Sequence, residues 1–304
     1  MERPVGGIIY FAANLVDADQ TTQMIADAKQ CALEACGIPL LVGIDEEGGT
    51  VLRVGGRDGF GIAAIGNMSD VGATGDLSYA EEVAADIGSY LHDLGFTNDL
   101  APVADVANNP EATLMRWRSF GSDPQLVADM VAAQVRGFRS QGIIACAKHF
   151  PGLGGSEGDP HGRTVYIHKT LEEMEQVELV PFAAAISEGI PMIMVGHISW
   201  PEYIGSELPT SVSPEVMGDL LRDRMGFKGV IVTDSLDMGA VSESYGQERL
   251  SAEVFLAGAD ALLMPADFDA AYAGVLDAVY SGEIGERRLD QSVFRIVWMK
   301  LANG

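Results

Sequence analysis

The sequence is organised around residues 143–161, which read IIACAKHFPGLGGSEGDPH. Its apolar beginning is typical of a buried strand, and this strand ends at Lys148 and His149. The rest of the stretch contains four glycines and two prolines and is predicted to be a loop. Polar residues at the carboxyl end of a strand, followed by a long loop that carries Asp159 and His161, indicate a parallel α/β enzyme.

The composition predicts one large domain that spans residues 1–304. The chain is 47% hydrophobic and 21% charged, and single barrels often reach this length. A net charge of −25 repels phosphate backbones and therefore disfavours nucleic-acid binding. No apolar run approaches the ~20 residues of a membrane span, and residues 1–4 lack a signal-peptide pattern. We therefore expect a cytoplasmic protein without a membrane partner.

The three cysteines form neither a metal-binding pattern nor an even disulfide set. Cys31 and Cys36 lie within a helical pattern and are predicted to be buried thiols. Free thiols agree with the reducing environment of the cytoplasm.

Seven short apolar runs predict strands, and most are separated by helical patterns. The runs are Gly7–Phe11, Leu40–Asp45, Phe96–Ala101, Ile143–His149, Met192–His197, Val230–Asp234 and Ala261–Met264. Alternating strands and helices predict a parallel sheet with right-handed crossovers. No glycine-rich phosphate fingerprint follows the first strand, so a (β/α)8 barrel is favoured over a doubly wound sheet. Seven strands are one fewer than such a barrel needs, so either one strand is missing from the chain or the pattern leaves one strand unrecognised.

Capping patterns predict where the helices begin and end. A capping box of Ser78 and Glu81 begins one helix, which ends near Gly95. A second helix begins at Ser122-Asp123-Pro124, and Gly142 follows its end. A third begins at Thr170 with Glu173 and is broken or kinked at Pro181. A fourth begins at Ser213-Pro214 and ends near Gly226.

Charged residues follow the predicted strands and are expected to surround one mouth of the barrel. They are Asp45, Glu46 and Glu47 after the second run, Asp105, Arg116 and Arg118 after the third, Lys148 and His149 at the fourth, His197 at the fifth and Asp234 at the sixth.

These residues resemble glycoside hydrolase family 3, most closely its β-N-acetylhexosaminidase branch. The similarity runs from residue 5 to a strand near Leu262. Its most specific feature is the motif of residues 148–152 followed by Asp159-Pro160-His161, which marks the hexosaminidase branch. The other motifs are IDEEGGTVLR at 44–53, RSFG at 118–121 and VTDSLDM at 232–238.

The chain departs from the family pattern at three positions in these motifs. Leu153 stands where the family usually has a second histidine, Pro160 where it has a serine, and Thr50 where arginine is common. The family barrel normally has a strand before residue 7, which agrees with the strand count. The second domain of many family members also has no counterpart in the sequence.

The chemistry expected of these residues is retaining glycoside hydrolysis, which needs a carboxylate nucleophile and a proton donor. Composition alone leaves Asp234 and Asp237 open as nucleophiles, and the resemblance selects Asp234. His161 is the expected acid and base, since imidazole titrates near neutral pH. Asp159 would orient its ring.

The resemblance implies that the terminal sugar is bound by Asp45, Arg53, Arg118, Lys148 and His149. Carboxylates and cations together suit hydroxyl groups, which both donate and accept hydrogen bonds. His197 either lines this site or is a core histidine, and we include it among the substrate-binding candidates. No metal and no other cofactor is expected, because the histidines show no zinc-ligand spacing.

The sequence therefore predicts an exo-acting β-N-acetylglucosaminidase with a small carbohydrate substrate, which the resemblance suggests comes from cell-wall muropeptides. The alternatives are a β-glucosidase or β-xylosidase, a phosphorylase of the same fold, and a non-catalytic sugar-binding barrel. A barrel without its first strand would have two open edges, and open edges favour pairing. We expect either a homodimer or a cover formed by the chain's own ends, for which residues 287–301 are apolar enough.

Overall fold

The computed structural model of the chain describes residues 4–110, 112–156, 164–242 and 246–302. Its main sheet has six parallel strands in the order β1-β2-β3-β4-β6-β8. These strands are β1 (Gly7–Ile9), β2 (Leu41–Ile44), β3 (Asn98–Asp99), β4 (Ile144–Phe150), β6 (Met192–Val195) and β8 (Val230–Thr233). A small parallel pair is formed by β5 (Val165–Tyr166) and β7 (Ile198–Ser199). The predicted α/β class with a parallel sheet is confirmed.

Both faces of the curled sheet are apolar, as a barrel requires. Along β4, Ile144 and Cys146 belong to an inner cluster with Met192, Met194 and Val230. Their neighbours Ala145 and Ala147 belong to the larger cluster between the sheet and its helices. Because successive side chains of a strand point to opposite faces, one apolar run supplies both clusters.

The last predicted strand is shorter than expected. The run Ala261–Met264 contributes a parallel bridge between Val232 and Ala261 rather than a full strand. The amide of Leu263 donates to Thr233 Oγ1 at 3.0 Å, which keeps the run beside β8. Within the described residues, β1 pairs only with β2, so the sheet begins at β1 and ends at this run.

Eleven α-helices surround the sheet in the described part of the chain. They are α1 (Ala18–Cys36), α2 (Met68–Thr74), α3 (Leu77–Leu94), α4 (Pro124–Ser140), α5 (Leu171–Gln176), α6 (Leu179–Ser187), α7 (Pro201–Ile204), α8 (Gly239–Ser242), α9 (Gln247–Ala257), α10 (Phe268–Tyr280) and α11 (Glu286–Ala302).

Two of the predicted helix starts are confirmed. Asp123 caps α4 by accepting from the amide of Leu126, with proline at the first helical position. Thr170 and Glu173 form the predicted capping box of α5.

Three helix predictions need correction. The cap of α3 is Asp76, whose carboxylate accepts from the amides of Ser78 and Tyr79, so Ser78 is not the cap. The break near Pro181 comes earlier, because α5 ends at Gln176 and Pro181 lies in the first turn of α6, where proline is tolerated. The segment after Ser213-Pro214 is a π-helix, Glu215–Arg224, rather than an α-helix.

The final helix, α11, lies against the amino ends of the strands. Its Met299 joins the inner cluster of the barrel, and Ile296 packs against that cluster. Lys300 Nζ donates to the carbonyl of Gly6 at 2.6 Å, next to β1. The helix predicted in residues 287–301 is confirmed, and it contacts the chain beside the first strand as well as the interior. Phe294 and Trp298 stack on its outer face.

Cys31 and Cys36 are exposed, which contradicts the expectation of buried thiols. Both lie on the solvent side of α1, whose buried residues are Thr21 and Ile25. Cys146 is buried in β4. Within the described ranges, no helix combines the length and apolar character that a membrane crossing requires.

Candidate active site

The carboxyl ends of the parallel strands carry the charged residues that the sequence predicts there. Asp45 directly follows β2, Lys148 and His149 lie within the last residues of β4, and Asp234 directly follows β8. The ammonium of Lys148 reaches across the mouth to Asp45, and Nζ lies 2.6 Å from Oδ1. Strand order thus brings residues together that are 103 positions apart in the chain.

A buried cluster of four charges lies at the centre of this mouth. Lys148 Nζ is 2.6 Å from Asp45 Oδ1 and 2.6 Å from Glu47 Oε1. Arg118 donates to Glu47 twice, from Nε and from Nη2, each at 2.7 Å. Two cations therefore face two carboxylates, and the charges of these four residues balance.

The cluster fixes the charge state of its buried members. Burial alone would raise the pKa of Glu47, but the positive charges of Lys148 and Arg118 hold that pKa well below its usual range. Burial would likewise lower the pKa of Lys148, and the carboxylates of Asp45 and Glu47 raise it instead. Lys148, only 2% exposed, and Glu47 are thus both ionised at neutral pH.

His149 is held by a buried aspartate. Its Nδ1 lies 2.7 Å from Asp105 Oδ2, and its backbone amide donates to the same carboxylate. The amide of Leu153 donates to Asp105 Oδ1 at 2.5 Å. Because a carboxylate only accepts, Nδ1 carries a proton, and Nε2 lies in hydrogen-bond contact with Arg118 Nη2 at 3.4 Å.

The Asp234 carboxylate is half-buried at the edge of this cluster. Its Oδ1 accepts from the amide of Ser235 at 2.8 Å. Burial would raise the pKa of Asp234, but the neighbouring His149, the Ser235 amide and Lys148 lower it. Asp234 is therefore ionised at neutral pH. The rival carboxylate of Asp237 is exposed.

His197 is buried, and both of its ring nitrogens are engaged. Nε2 donates to the carbonyl of Ser235 at 2.9 Å, so Nδ1 accepts from Ser211 Oγ at 2.7 Å. Burial lowers the pKa of His197, which keeps the ring neutral. Its hydrogen bonds support the turn that carries Asp234, and its role in sugar binding stays a prediction.

Arg53 lies at the rim of the mouth with donors to spare. Its Nη2 is 3.8 Å from Asp45 Oδ2, which is too long for a hydrogen bond. Its guanidinium lies over the ring of Phe11, 5.7 Å from the ring centre. The Nε atom is buried and has no hydrogen-bond partner among the described residues.

Asp159 and His161, the predicted acid–base pair, lie outside the described residues. The described base of their loop is well anchored. Asn109 Nδ2 donates to the carbonyl of Ser156 at 2.9 Å, and Ser156 Oγ donates to Leu153 at 2.7 Å.

Two residues of this site had no predicted role, and only one left a signal in the sequence. Glu47 could have been found from strand alternation, because Asp45 and Glu47 are two positions apart and both face Lys148. Asp105 is 44 positions from His149, and no local pattern joins them.

Comparison with known proteins gives one consistent result. The family model for the glycosyl hydrolase family 3 N terminal domain matches residues 1–299. A beta-hexosaminidase A from Pseudoalteromonas piscicida is 34% identical over 97% of this chain and 53% of its own length. A beta-N-acetylglucosaminidase/beta-glucosidase from Cellulomonas fimi is 31% identical over 99% of this chain and 53% of its own length.

Among solved structures, a family 3 beta-N-acetylglucosaminidase from Paenibacillus sp. str. FPU-7 is similar, with a TM-score of 0.94 and 39% identity. The match covers 98% of this chain and 57% of that protein. The chain thus spans about half the length of these relatives.

Proposed function

This chain belongs to glycosyl hydrolase family 3, and we propose that it is the barrel of a retaining exo-β-N-acetylglucosaminidase. The observation that carries the proposal is the position of Asp234 at the carboxyl end of β8, at the mouth that holds the buried charge cluster of Lys148. The names of the relatives from Cellulomonas fimi and Paenibacillus support N-acetylglucosaminides as the substrate class, and the name of the relative from Pseudoalteromonas piscicida supports hexosaminides.

In the first step, the Asp234 carboxylate attacks the anomeric carbon while the bond to the leaving oxygen breaks. His161, protonated at the start, gives its proton to that oxygen and becomes neutral, and Asp159 orients its ring. In the second step, His161 takes a proton from water as the water oxygen bonds to the anomeric carbon. Asp234 leaves as a free carboxylate, so protons and charges balance over the cycle.

The terminal sugar is held by Asp45, Arg53, Arg118, Lys148 and His149. Asp45 can accept from hydroxyl groups, and a hydroxyl can replace Arg118 as the hydrogen-bond partner of His149 Nε2. Lys148 and the unused donors of Arg53 can donate to them. A cluster that is already paired before the sugar arrives has little reorganisation to undergo on binding.

The substrate class is tested by comparing the nitrophenyl β-glycosides of N-acetylglucosamine, glucose and xylose. We expect the highest kcat/KM for N-acetylglucosamine. A preference for glucose or xylose would contradict the proposal, and binding without turnover of any of the three would indicate a sugar-binding barrel.

The nucleophile is tested by labelling with a 2-fluoro or 5-fluoro sugar and by mass spectrometry. We expect the label on Asp234. Asp234→Asn should lose the covalent intermediate while it keeps sugar binding, and Asp237→Asn is the matched control three residues along the chain. A label on Asp237 would refute the assignment.

The acid–base role is tested with His161→Ala and a series of leaving groups. Loss of general acid–base catalysis should slow the reaction by about 10²–10⁴-fold. Poor leaving groups should suffer most, because nitrophenolate needs little protonation. An equal loss for all leaving groups would exclude His161 as the acid.

Two alternatives remain for the same site. The relative from Cellulomonas fimi is named both beta-N-acetylglucosaminidase and beta-glucosidase, which makes glucosidase activity the second candidate. Phosphorolysis is distinguished by measuring turnover and products with and without inorganic phosphate; we expect no dependence on phosphate.

We further propose that the natural substrates are muropeptides and that the protein works in the cytoplasm. The exposed thiols of Cys31 and Cys36 support a reducing compartment. Release of free N-acetylglucosamine from purified muropeptides tests the substrate, and cell fractionation tests the location. The possible homodimer is tested by light scattering.

A further inference from the structure

Glu46 lies between two residues of the charge cluster, yet its own side chain points away from the mouth. Asp45 and Glu47 face Lys148, whereas Glu46 is fully buried on the opposite side of the chain. Its carboxylate accepts four hydrogen bonds, and three of them come from consecutive backbone amides.

The three amides belong to Arg53, Val54 and Gly55. Glu46 Oε2 accepts from the amides of Arg53 at 2.5 Å and Val54 at 3.1 Å. Its Oε1 accepts from the amide of Gly55 at 2.7 Å and from the hydroxyl of Tyr90 at 2.9 Å. These four donors match the lone pairs of one carboxylate, so the group is satisfied by this loop and one phenol.

The donors of this arrangement are themselves fixed. Burial and the nearby Glu46 raise the pKa of the Tyr90 phenol, which therefore remains a donor. The backbone amide of Glu46 donates to Asp99 Oδ1 at 2.9 Å, which ties it to β3. A backbone held at three successive amides has little freedom to move.

The first residue of that backbone is Arg53, whose side chain reaches the mouth. Its guanidinium has a buried Nε without a partner in the described part of the chain, and Nη2 is only loosely placed near Asp45. The protein thus fixes the base of Arg53 tightly and leaves its donors unused. Such an arrangement places a cation for a ligand at low entropic cost.

We propose that Glu46 is a positioning residue: it clamps residues 53–55 so that the Arg53 guanidinium faces the bound sugar. The inference rests on the proposed function, because it assigns the ligand of Arg53 to that site. It predicts that Glu46 affects binding of the sugar through Arg53 and leaves the chemical steps unchanged.

The test measures KM and kcat of Glu46→Ala, Glu46→Gln, Arg53→Ala and the double variant Glu46→Ala/Arg53→Ala on nitrophenyl N-acetylglucosaminide. We expect KM to rise about 10-fold in Glu46→Ala, which corresponds to the loss of one good hydrogen bond. The smaller Glu46→Gln change should raise KM about 3-fold, because an amide oxygen can still accept from part of the loop. In both variants kcat should stay within about 3-fold of the wild type, as expected when uniform binding is lost.

The double variant decides between positioning and general stability. If Glu46 acts through Arg53, the change Glu46→Ala adds no further rise in KM once Arg53 is alanine. If Glu46→Ala raises KM by the same factor in the wild type and in Arg53→Ala, the inference is overturned. If Glu46→Ala does not fold, the same comparison is made with Glu46→Gln.

A matched control separates lost stability from lost positioning. Ile25→Val removes one buried methyl group where α1 packs against the carboxyl end of α3, and should lower Tm without a change in KM. A Glu46 variant that behaves like this control would also overturn the inference. If the wild type hydrolyses none of the glycosides, the proposed function fails. Calorimetric Kd values for N-acetylglucosamine then replace KM in the same cycle.

Discussion

Replacement of Lys148 by methionine should destabilise the protein more than any surface change. Methionine has nearly the same shape and fills the same space, so the main loss is the charge. Lys148 is only 2% exposed and contacts Asp45 and Glu47 at 2.6 Å each. Without it, the carboxylates of Asp45 and Glu47 lose the cation that lies between them.

The size of the loss in stability depends on the cations that stay beside Asp45 and Glu47. Removal of one partner of a buried ion pair costs about 3–5 kcal/mol. Glu47 keeps both hydrogen bonds from Arg118, whereas the cation that stays beside Asp45 in the described part of the chain is Arg53, at 3.8 Å. We therefore expect the lower end of this range, about 3 kcal/mol.

Urea unfolding followed by circular dichroism measures this loss. The slope m of the free energy of unfolding against urea concentration should be the same in both proteins. Lys228→Met is the control, because Lys228 is exposed and its loss should change stability by less than about 0.5 kcal/mol. The double variant Lys148→Met/Asp45→Asn should lose less than the sum of its parts, because it removes an unpaired carboxylate.

The stability lost in Lys148→Met should become smaller at acidic pH. The lowered pKa of Glu47 gives stability that is present above its ordinary value of 4.5 and is lost as the pH falls below it. Without Lys148 this pKa rises, so the variant loses less on acidification. The difference between wild type and variant should therefore stay nearly constant from pH 7 to about pH 5 and shrink as the pH falls below 4.5. A loss below about 1 kcal/mol, or a difference that grows with acidity, would refute this account of the cluster.

Two further predictions concern the histidines. Asp105→Asn should lower the free energy of unfolding by about 2 kcal/mol and should raise KM. The reason is that one amide oxygen cannot replace a carboxylate that accepts from the His149 ring and from two backbone amides. An unchanged KM would contradict the link between Asp105 and His149. The pKa of His197 is lowered in the folded protein, so the free energy of unfolding of the wild type should fall as the pH drops below about 6.5. The fall should be at most about 1.4 kcal/mol per pH unit. The slope should be smaller in His197→Asn.

The parallel sheet and the positions of its strands could be predicted because buried strands are continuous apolar runs. The run Ile143–His149 became β4 almost unchanged. The weakest prediction was Ala261–Met264, which forms a bridge instead of a strand because apolar character does not guarantee a full ladder of hydrogen bonds. Helix type was also beyond prediction: the caps near Ser213 indicate a helix, and nothing in them specifies the wider π turn.

The candidate site was predictable in its strand-end residues and less so in their partners. Asp45, Lys148 and His149 stand at strand ends, where parallel topology places them at one mouth. Asp105 lies in a loop, and only the folded chain brings it under His149. Glu46 and Glu47 are adjacent and chemically alike, so composition could not assign one to the charge cluster and the other to a loop clamp.

The contact between Lys300 and Gly6 also bears on how the chain is made. It joins residues 294 positions apart, so a ribosome that adds about 5–20 residues per second completes it roughly 15–60 s after β1 appears. Until then, the inner face of β1 and the amino ends of its neighbours lack the cover that α11 provides. The nascent chain would therefore expose apolar surface for most of its synthesis, and we expect it to be a client of chaperones that bind during translation.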